Sequence, residues 1–294
     1  MRGRVSRLFI GVFFGLCACG AAATDLSHSV TGSVSDGGDT LGYRLFSPTG
    51  IAPGAKAPLI VYLHGMGERG TDNVAQTTWM GGLLNATQSG QYASYVLAPQ
   101  IDTNQWFQSF SSKPTEGMSL TIDALKQVMS TQNIDPSRVY VTGISMGAMG
   151  AWDILAREPK LFAAAVPISG AGDPKTAVAI KNIPIWDFHG SADPLVPVSA
   201  TREMISALQS AGGSPKYTEI AGAGHEIWDP IYEDSGDTLY RWLFSQHLAA
   251  ADAGQPISSG EVTAQVVAGV PEPTSITMLL LIGAGTLARR SRRA

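Results

Sequence analysis

Short apolar runs recur along the middle of the chain, and stretches with helical periodicity lie between them. The apolar runs have the length of buried strands and occupy residues 59–63, 95–98, 139–142, 163–168, 185–188 and 217–220. The helical stretches repeat apolar residues about every 3.6 positions, at Leu120, Ile122, Leu125, Val128 and Met129, at Met204, Ile205 and Leu208, and at Leu239, Trp242, Leu243 and Leu248. Strands that are apolar throughout and alternate with amphipathic helices are typical of parallel sheets covered on both faces. We therefore predict an α/β fold with a mostly parallel central sheet flanked by helices.

Two further strand-like segments, 28–34 and 41–46, precede these runs and are separated by residues 35–39. The separating residues include Asp-Gly-Gly-Asp, a composition that favours a tight turn between antiparallel strands. We predict an antiparallel hairpin that leads into the sheet, within a single domain over residues 24–249.

The first 23 residues have the layout of a secretory signal peptide. Three arginines precede residue 8, an apolar run covers 8–18, and small residues follow at 21–23. The run is shorter than the ~20 residues that span a bilayer, which favours a cleaved signal over an anchor. Both cysteines, Cys17 and Cys19, fall inside this segment, so we expect the exported chain to contain no disulfide. A lipoprotein cleavage box with Cys19 as the lipidated residue is the alternative.

The last 25 residues (270–294) combine three features in order. Pro-Glu-Pro at 271–273 is followed by an apolar run over 276–288 and by a basic end with four arginines. The run is marginal for a permanent membrane span, and the arginines would hold it at the cytoplasmic side. The pattern resembles the PEP-CTERM sorting signal of Gram-negative bacteria. That resemblance implies transient contact with the inner membrane, processing by an exosortase, and delivery to the cell surface or extracellular matrix. Residues 250–269 would form the linker.

Composition and charge exclude two classes of protein. Apolar residues make up 44% of the chain and charged residues 15%, which is enough apolar material for a core and argues against disorder. The formal net charge is −4, and seven of the arginines lie in the two terminal segments. The body therefore has no basic run that could follow a phosphate backbone, and we expect no nucleic-acid partner.

Ser145 lies in a G-x-S-x-G motif between a predicted strand and a predicted helix. The strand 139–142 runs into Gly143-Ile144-Ser145-Met146-Gly147, and a helical stretch continues to Arg157. Such a turn holds the serine hydroxyl exposed, and its glycines let the backbone pass closely. The helix N-terminus adds free N–H groups and a positive dipole beside that oxygen. We predict that Ser145 is a nucleophile; a tight structural turn is the alternative.

A serine hydroxyl needs a base to take its proton, and the chain offers five histidines. His28 and His247 lie near the two ends of the body, where we expect surface residues. His225 follows the strand 217–220 in a glycine-rich loop, on the edge of the sheet where catalytic groups of open α/β folds gather. We predict that His225 is the base; a loop histidine that caps the next helix is the alternative.

The third group must be a carboxylate that orients the imidazole, and the expected chain order places it between Ser145 and His225. Asp153 falls on the predicted helix and Asp173 in a turn. Asp187 lies inside the fifth apolar run, whereas Asp193 lies just beyond the end of that run. A side chain within a strand does not reach the edge of the sheet, so we predict that Asp193 is the acid.

Acyl transfer also requires two N–H groups for the developing oxyanion. One is expected from Met146, at the start of the helix. The other is expected from Leu63-His64-Gly65-Met66-Gly67, where Met66 is our first choice and Gly65 the alternative. We expect the ring of His64 to fix this loop through hydrogen bonds.

With these motifs identified, residues 58–246 resemble the α/β-hydrolase superfamily. The matching pieces are LHGMGERG (63–70), VLAPQ (96–100), DPSRVYVTGISMGAMGAWD (135–153), PIWDFHGSADPLVPV (184–198) and GAGHEIWD (222–229). The likeness is to secreted esterases described as phospholipase/carboxylesterase-like, dienelactone-hydrolase-like or polyhydroxybutyrate-depolymerase-like. It implies a triad of Ser145, Asp193 and His225, with the Met66 and Met146 amides as the oxyanion hole. One departure is Ala-Met-Gly at 148–150, where relatives usually carry glycine next to the motif.

The resemblance implies a secreted serine hydrolase that cleaves carboxylic esters, either on ester-substituted polysaccharide or in small acyl esters. A peptidase or polyhydroxyalkanoate depolymerase of the same fold is the alternative within enzymes, and a non-catalytic matrix-binding module is the alternative outside them. Trp106 and Trp228, both expected in loops after strands, are candidates for pocket walls. We expect no cofactor, and no metal because the histidines lack ligand spacing.

Overall fold

The computed structural model describes residues 24–234, 236–250 and 252–257. These residues form eight strands: β1 (Ser29–Asp36), β2 (Asp39–Phe46), β3 (Ala57–Leu63), β4 (Tyr95–Gln100), β5 (Ile134–Ile144), β6 (Ala164–Ile168), β7 (Trp186–Gly190) and β8 (Lys216–Ile220). All eight belong to one sheet, in the spatial order β1-β2-β4-β3-β5-β6-β7-β8.

The sheet is antiparallel at one end and parallel over the rest. β1 and β2 form a hairpin, and β2 pairs antiparallel with β4. From β4 onward each neighbouring pair is parallel, so the loops after β3, β5, β7 and β8 emerge at the same edge. The predicted α/β fold with an N-terminal hairpin is confirmed.

The helices cover both faces of this sheet. Within the described residues they are α1 (Gly81–Thr87), α2 (Glu116–Thr131), α3 (Met146–Arg157), α4 (Ala177–Ile180), α5 (Val198–Ser210), α6 (Trp228–Glu233) and α7 (Thr238–Phe244). Side chains of α2 to α5 pack into the core on one face, and those of α1, α6 and α7 pack on the other. This two-layer covering explains why β3, β4 and β6 are almost entirely buried and mostly apolar.

Strand β3 illustrates how the two cores are separated by side-chain alternation. Leu59, Val61 and Leu63 point into the core beneath α2 to α5, whereas Ile60 and Tyr62 point into the opposite core. All five are completely buried. The end of β3 is therefore anchored on both faces, which gives a rigid base to the loop that follows.

Strand β5 begins earlier than its apolar pattern predicts. The pattern marks only 139–142, but the strand starts at Ile134, which pairs with Ala57 across a register shift in the ladder. Residues 135–138 are only partly buried, and three of the four are polar, so this part of the strand leaves no apolar signal.

The predicted signal peptide (1–23) and sorting segment (270–294) lie outside the described residues, as does most of the predicted linker (250–269). Among the helices that are described, none combines the length and the apolar character that a membrane span requires.

Candidate active site

Ser145 occupies a strained turn between β5 and α3. Its backbone has φ of 53° and ψ of −117°, a conformation that residues with a side chain rarely adopt. Gly143 and Gly147 permit the turn, because a Cβ on Gly147 would overlap the carbonyl oxygen of Leu63 and a Cβ on Gly143 would overlap Gly147. The two glycines thus let α3 start directly against the end of β3, and Ser145 is left only partly buried.

The structure brings Ser145, His225 and Asp193 into one hydrogen-bonded line. Ser145 Oγ lies 2.8 Å from His225 Nε2, and His225 Nδ1 lies 2.6 Å from Asp193 Oδ2. The imidazole is 9% exposed and the Asp193 side chain is fully buried. When Nδ1–H donates to the carboxylate, the lone pair of Nε2 faces the serine hydroxyl, which is the arrangement needed to accept its proton.

Asp193 is held as an anion by four donors. Burial alone would raise the pKa of this carboxyl group, but hydrogen bonds from His189, His225 and the Val196 amide hold it well below its usual range. Oδ1 accepts the amides of Leu195 at 2.8 Å and Val196 at 2.9 Å. Oδ2 accepts from the two imidazoles. A buried carboxylate with this set of partners stays charged at neutral pH.

The loops that carry Asp193 and His225 are tied to each other by backbone contacts. Ala192 N donates to Ala223 O at 2.9 Å. Gly190 allows this approach, since a Cβ there would overlap the carbonyl oxygen of Ala223. The spacing of the two loops that carry Asp193 and His225 is therefore set by backbone contacts.

Ser169, at the end of β6, holds the backbone of the base. Its Oγ donates to the carbonyl oxygen of His225 at 2.8 Å, and its own N–H donates to Phe188 O at 2.9 Å. Ser169 has φ of 55°, so a second non-glycine residue beside Ser145 takes a left-handed conformation. Strained backbone at two adjacent strand ends is a feature of functional sites.

The Met66 and Met146 amides are both available for an oxyanion. Neither N–H donates a hydrogen bond to another described residue. Gly65, the alternative donor, lies against Glu68 Oε2, and its amide helps to lower the pKa of that carboxyl group. Burial nevertheless raises the pKa of Glu68 overall, although Trp79 Nε1 also donates to Oε1 at 3.1 Å. The Gly65 amide thus has a partner in Glu68, and Met66 remains the predicted donor.

His64 fixes the loop after β3, in the way the sequence led us to expect. The ring is completely buried, and burial lowers its pKa to about 4, so it is neutral at physiological pH. Nδ1 lies 2.6 Å from Gly65 O and donates to it, while Nε2 accepts the Ile101 amide at 3.2 Å. The ring has no contact with Ser145, so it braces the loop that presents Met66.

Asp187 lies inside β7, completely buried, away from the hydrogen-bonded line. Neither of its carboxylate oxygens makes a hydrogen bond within the described part of the chain; the Trp152 indole faces the group but falls outside hydrogen-bond geometry. Burial raises the pKa of Asp187 well above its usual range, and the indole offsets this only in part. Burial therefore favours the protonated, neutral form of Asp187.

The two tryptophans proposed as pocket walls differ in position. Trp106 is partly buried, and the guanidinium of Arg69 lies 5.7 Å from the centre of its ring. Trp228 is 5% exposed and packs edge-on against the His225 ring, with 5.6 Å between the ring centres. Trp228 also begins helix α6, which corrects the expectation of a loop; Pro230 in the first turn suits a helix start. The edge-on contact of Trp228 supports the His225 ring.

Two residues beside the line were not predicted to have a role there: His189 and Ser169. His189 had a signal in the sequence, since it directly follows the apolar residues of β7 and precedes Asp193 by four positions. Ser169 had none, because its contacts depend on backbone conformation after β6. Within the described residues, no group of three or more His, Cys, Asp or Glu side chains is placed to hold a metal ion.

Comparison with protein families places most of the body in one group. The model of a family described as phospholipase/carboxylesterase matches residues 51–243. Among solved structures, a thermostable esterase superimposes with a TM-score of 0.69 at 35% identity, covering 76% of this chain and 64% of that one.

Two curated relatives are similar over part of their length. A bifunctional acetylxylan esterase/xylanase from Neocallimastix patriciarum is 24% identical over 226 residues, which is 74% of this chain and 31% of the relative. A poly(3-hydroxyalkanoate) depolymerase from Paucimonas lemoignei is 34% identical over 131 residues, which is 42% of this chain and 30% of the relative. The chain thus spans about a third of the length of these two relatives.

Proposed function

The chain belongs to the phospholipase/carboxylesterase family, and from this premise we propose that it is a serine hydrolase that cleaves carboxylic esters. The observation that carries this proposal is the continuous path from Ser145 Oγ through His225 to Asp193, with distances of 2.8 Å and 2.6 Å. A hydroxyl in this setting is activated by proton transfer, which a solvated serine lacks.

In the first half of the reaction, Ser145 Oγ attacks the ester carbonyl while His225 Nε2 takes the hydroxyl proton. The carbonyl oxygen becomes an oxyanion and accepts hydrogen bonds from the Met66 and Met146 amides, with added support from the N-terminus of α3. His225 then donates the proton to the departing alcohol, and the acyl group remains on Ser145. Asp193 stays ionised throughout and stabilises the imidazolium.

In the second half, water occupies the place of the alcohol. His225 takes a proton from this water, the resulting hydroxide attacks the acyl carbonyl, and the same two amides hold the second oxyanion. Return of the proton to Ser145 Oγ releases the carboxylic acid and restores the starting state. No cofactor takes part in either half.

For the substrate, we propose ester-substituted polysaccharide or small acyl esters. The similarity to an acetylxylan esterase/xylanase over 74% of the chain supports this class. A polyhydroxyalkanoate depolymerase is the second candidate, because the 34% identity to the depolymerase from Paucimonas lemoignei favours it locally. Partly buried Trp106, with its Arg69 contact, is the wall that we propose for the substrate pocket.

We also propose that the enzyme is exported and works at the cell surface or in the extracellular matrix. The support is in the sequence: the signal-peptide layout of residues 1–23 and the PEP-CTERM pattern of residues 270–294. An exosortase-type enzyme would then process the C-terminal segment after a transient stay in the inner membrane.

The test compares Ser145→Ala with Ser199→Ala, an exposed serine on α5. Turnover of p-nitrophenyl acetate should fall by about 10⁶-fold for Ser145→Ala and stay unchanged for Ser199→Ala, with thermal midpoints close to wild type. The wild type should also be offered acetylated and feruloylated xylan, polyhydroxybutyrate and a peptide p-nitroanilide, which separates esterase, depolymerase and peptidase.

Turnover of Ser145→Ala within tenfold of wild type would remove Ser145 from the mechanism. A wild type that binds xylan but hydrolyses nothing would favour the matrix-binding module instead.

A further inference from the structure

His189 makes contact with the same carboxylate oxygen as the base. Its side chain, at the end of β7, is completely buried. Nε2 lies 3.1 Å from Asp193 Oδ2 and 3.0 Å from Val196 O. Nδ1 lies 2.8 Å from the hydroxyl oxygen of Thr201 on α5, and that oxygen lies 2.9 Å from Gly170 O. Both ring nitrogens therefore have partners.

The partners determine where the ring carries hydrogen. Asp193 is ionised and a backbone carbonyl only accepts, so both neighbours of His189 Nε2 are acceptors and this nitrogen must carry the proton. Oδ2 of Asp193 thus receives two imidazole N–H groups, one from His225 and one from His189. Oδ1 receives two backbone amides. With every donor in place, the carboxylate has a single favourable rotation.

From this geometry we infer that His189 is a positioning residue for the proposed ester hydrolysis: it holds Asp193 Oδ2 in line with His225 Nδ1. The inference rests on the proposed function. Thr201 acts one step further away, since its hydroxyl fixes the His189 ring between β7 and α5. His189 touches no reacting atom; its effect reaches Ser145 through Asp193 and His225.

A second interpretation of the same contacts is purely structural. His189 would then only join β7 to α5, and its loss would lower stability without a specific effect on turnover. The two interpretations differ in one measurable respect. A positioning role requires that the effect of His189 on turnover depends on the Asp193 carboxylate, whereas a structural role does not.

The experiment uses His189→Leu, which removes the donor at similar size, and His189→Gln, which retains an N–H group at the end of the side chain. Each is made in the wild type and in Asp193→Ala. Values of kcat and KM for p-nitrophenyl acetate are expressed per reactive serine, titrated with an organophosphonate, so that unfolded protein does not count. Ser145→Ala serves as the blank.

We expect His189→Leu to lower kcat by about 10- to 100-fold, which is the factor that corresponds to a hydrogen bond to a charged group. KM should stay within about threefold of wild type. His189→Gln should recover at least part of this loss. In the Asp193→Ala background, His189→Leu should change kcat less than about twofold, because the carboxylate that it holds is gone.

Two results would overturn the inference. One is a wild-type kcat in His189→Leu; the other is a loss that is the same for both substitutions and equally large in the Asp193→Ala background. Failure of the proposed function would look different, because the wild type itself would then turn over no faster than the Ser145→Ala blank.

Discussion

Replacing Asp193 with asparagine tests the electrostatic design of the site against a matched control, Asp187→Asn. Both aspartates are buried, and they lie six positions apart on β7 and the loop that follows it. One is surrounded by donors and the other makes no hydrogen bond to a described residue. The same chemical change should therefore remove activity only at Asp193, and should change the pH dependence of stability above about pH 4 only at Asp187.

The effect of Asp193→Asn follows from the donors on each side of the carboxylate. Oδ1 faces two backbone N–H groups, which cannot rotate away, so the new amide must place its oxygen there. Its NH₂ group then takes the place of Oδ2 and donates to His225 Nδ1. The proton of the imidazole moves to Nε2. Protonated Nε2 faces Ser145 and cannot accept the proton of its hydroxyl. Holding the wrong tautomer should lower kcat by about 10⁴-fold. The substitution should also lower stability by about 2 kcal/mol.

Asp187→Asn should leave kcat unchanged and alter the pH dependence of stability. Because burial raises the pKa of Asp187 in the folded state, the folded chain retains a proton that the unfolded chain releases above about pH 4. Wild-type stability therefore falls by about 1.4 kcal/mol per pH unit, from about pH 4 up to the pKa of Asp187 in the folded state. Asparagine does not titrate, so the stability of the variant relative to wild type rises over that range. Each kcal/mol should raise the relative thermal midpoint by about 2–4 °C.

The assay is kcat on one p-nitrophenyl ester and the thermal midpoint at pH 4.5, 6 and 7.5, for wild type and both variants. Loss of activity in Asp187→Asn together with retention in Asp193→Asn would refute the acid assignment. A midpoint difference between wild type and Asp187→Asn that stays constant across the three pH values would show that Asp187 is not kept neutral by burial.

Two further predictions concern the turn at Ser145 and the C-terminal segment. Gly147→Ala should lower kcat by at least about 100-fold and stability by about 1–3 kcal/mol, because its Cβ would overlap the end of β3. The control is Gly81→Ala, whose Cβ would meet nothing within 4 Å and which should change neither quantity. Equal behaviour of the two variants would contradict the steric argument. Deleting residues 270–294 should leave the kcat of purified protein unchanged and shift the protein away from the cell surface on fractionation; a loss of kcat would show that the segment belongs to the folded body.

The apolar pattern was sufficient for the fold class because most of the parallel strands are buried on both faces. It did not mark α1, α4 and α6, which have seven, four and six residues and so give a helical repeat few positions in which to appear. It also missed the first part of β5, where residues 135–138 are only partly buried and mostly polar.

For the candidate site, chain position carried most of the information. Ser145, Asp193 and His225 each follow a strand of the parallel sheet, and the structure brings the three side chains together at one edge. Their catalytic roles remain predictions. The position of His189 four residues before Asp193 was a signal, but the contacts of His189 and Glu68 depend on which way a ring or carboxylate turns, and such rotations have no periodic signature in the chain.

Two serines with left-handed backbone join neighbouring strand ends into one support for the base. Ser145 N donates to Ile168 O at the end of β6. The next residue, Ser169, donates from its N–H to Phe188 O in β7 and from its Oγ to His225 O. Glycine would accept either conformation more readily, but it would supply neither the nucleophilic hydroxyl nor the hydroxyl that holds the His225 backbone. The strain at both positions is therefore offset by hydrogen bonds from the serine hydroxyls and from the backbone N–H groups to the neighbouring strand ends. The base is positioned from two directions, by Ser169 at its backbone and by Asp193 at its ring, which is why removing the ring contact should slow turnover without unfolding the protein.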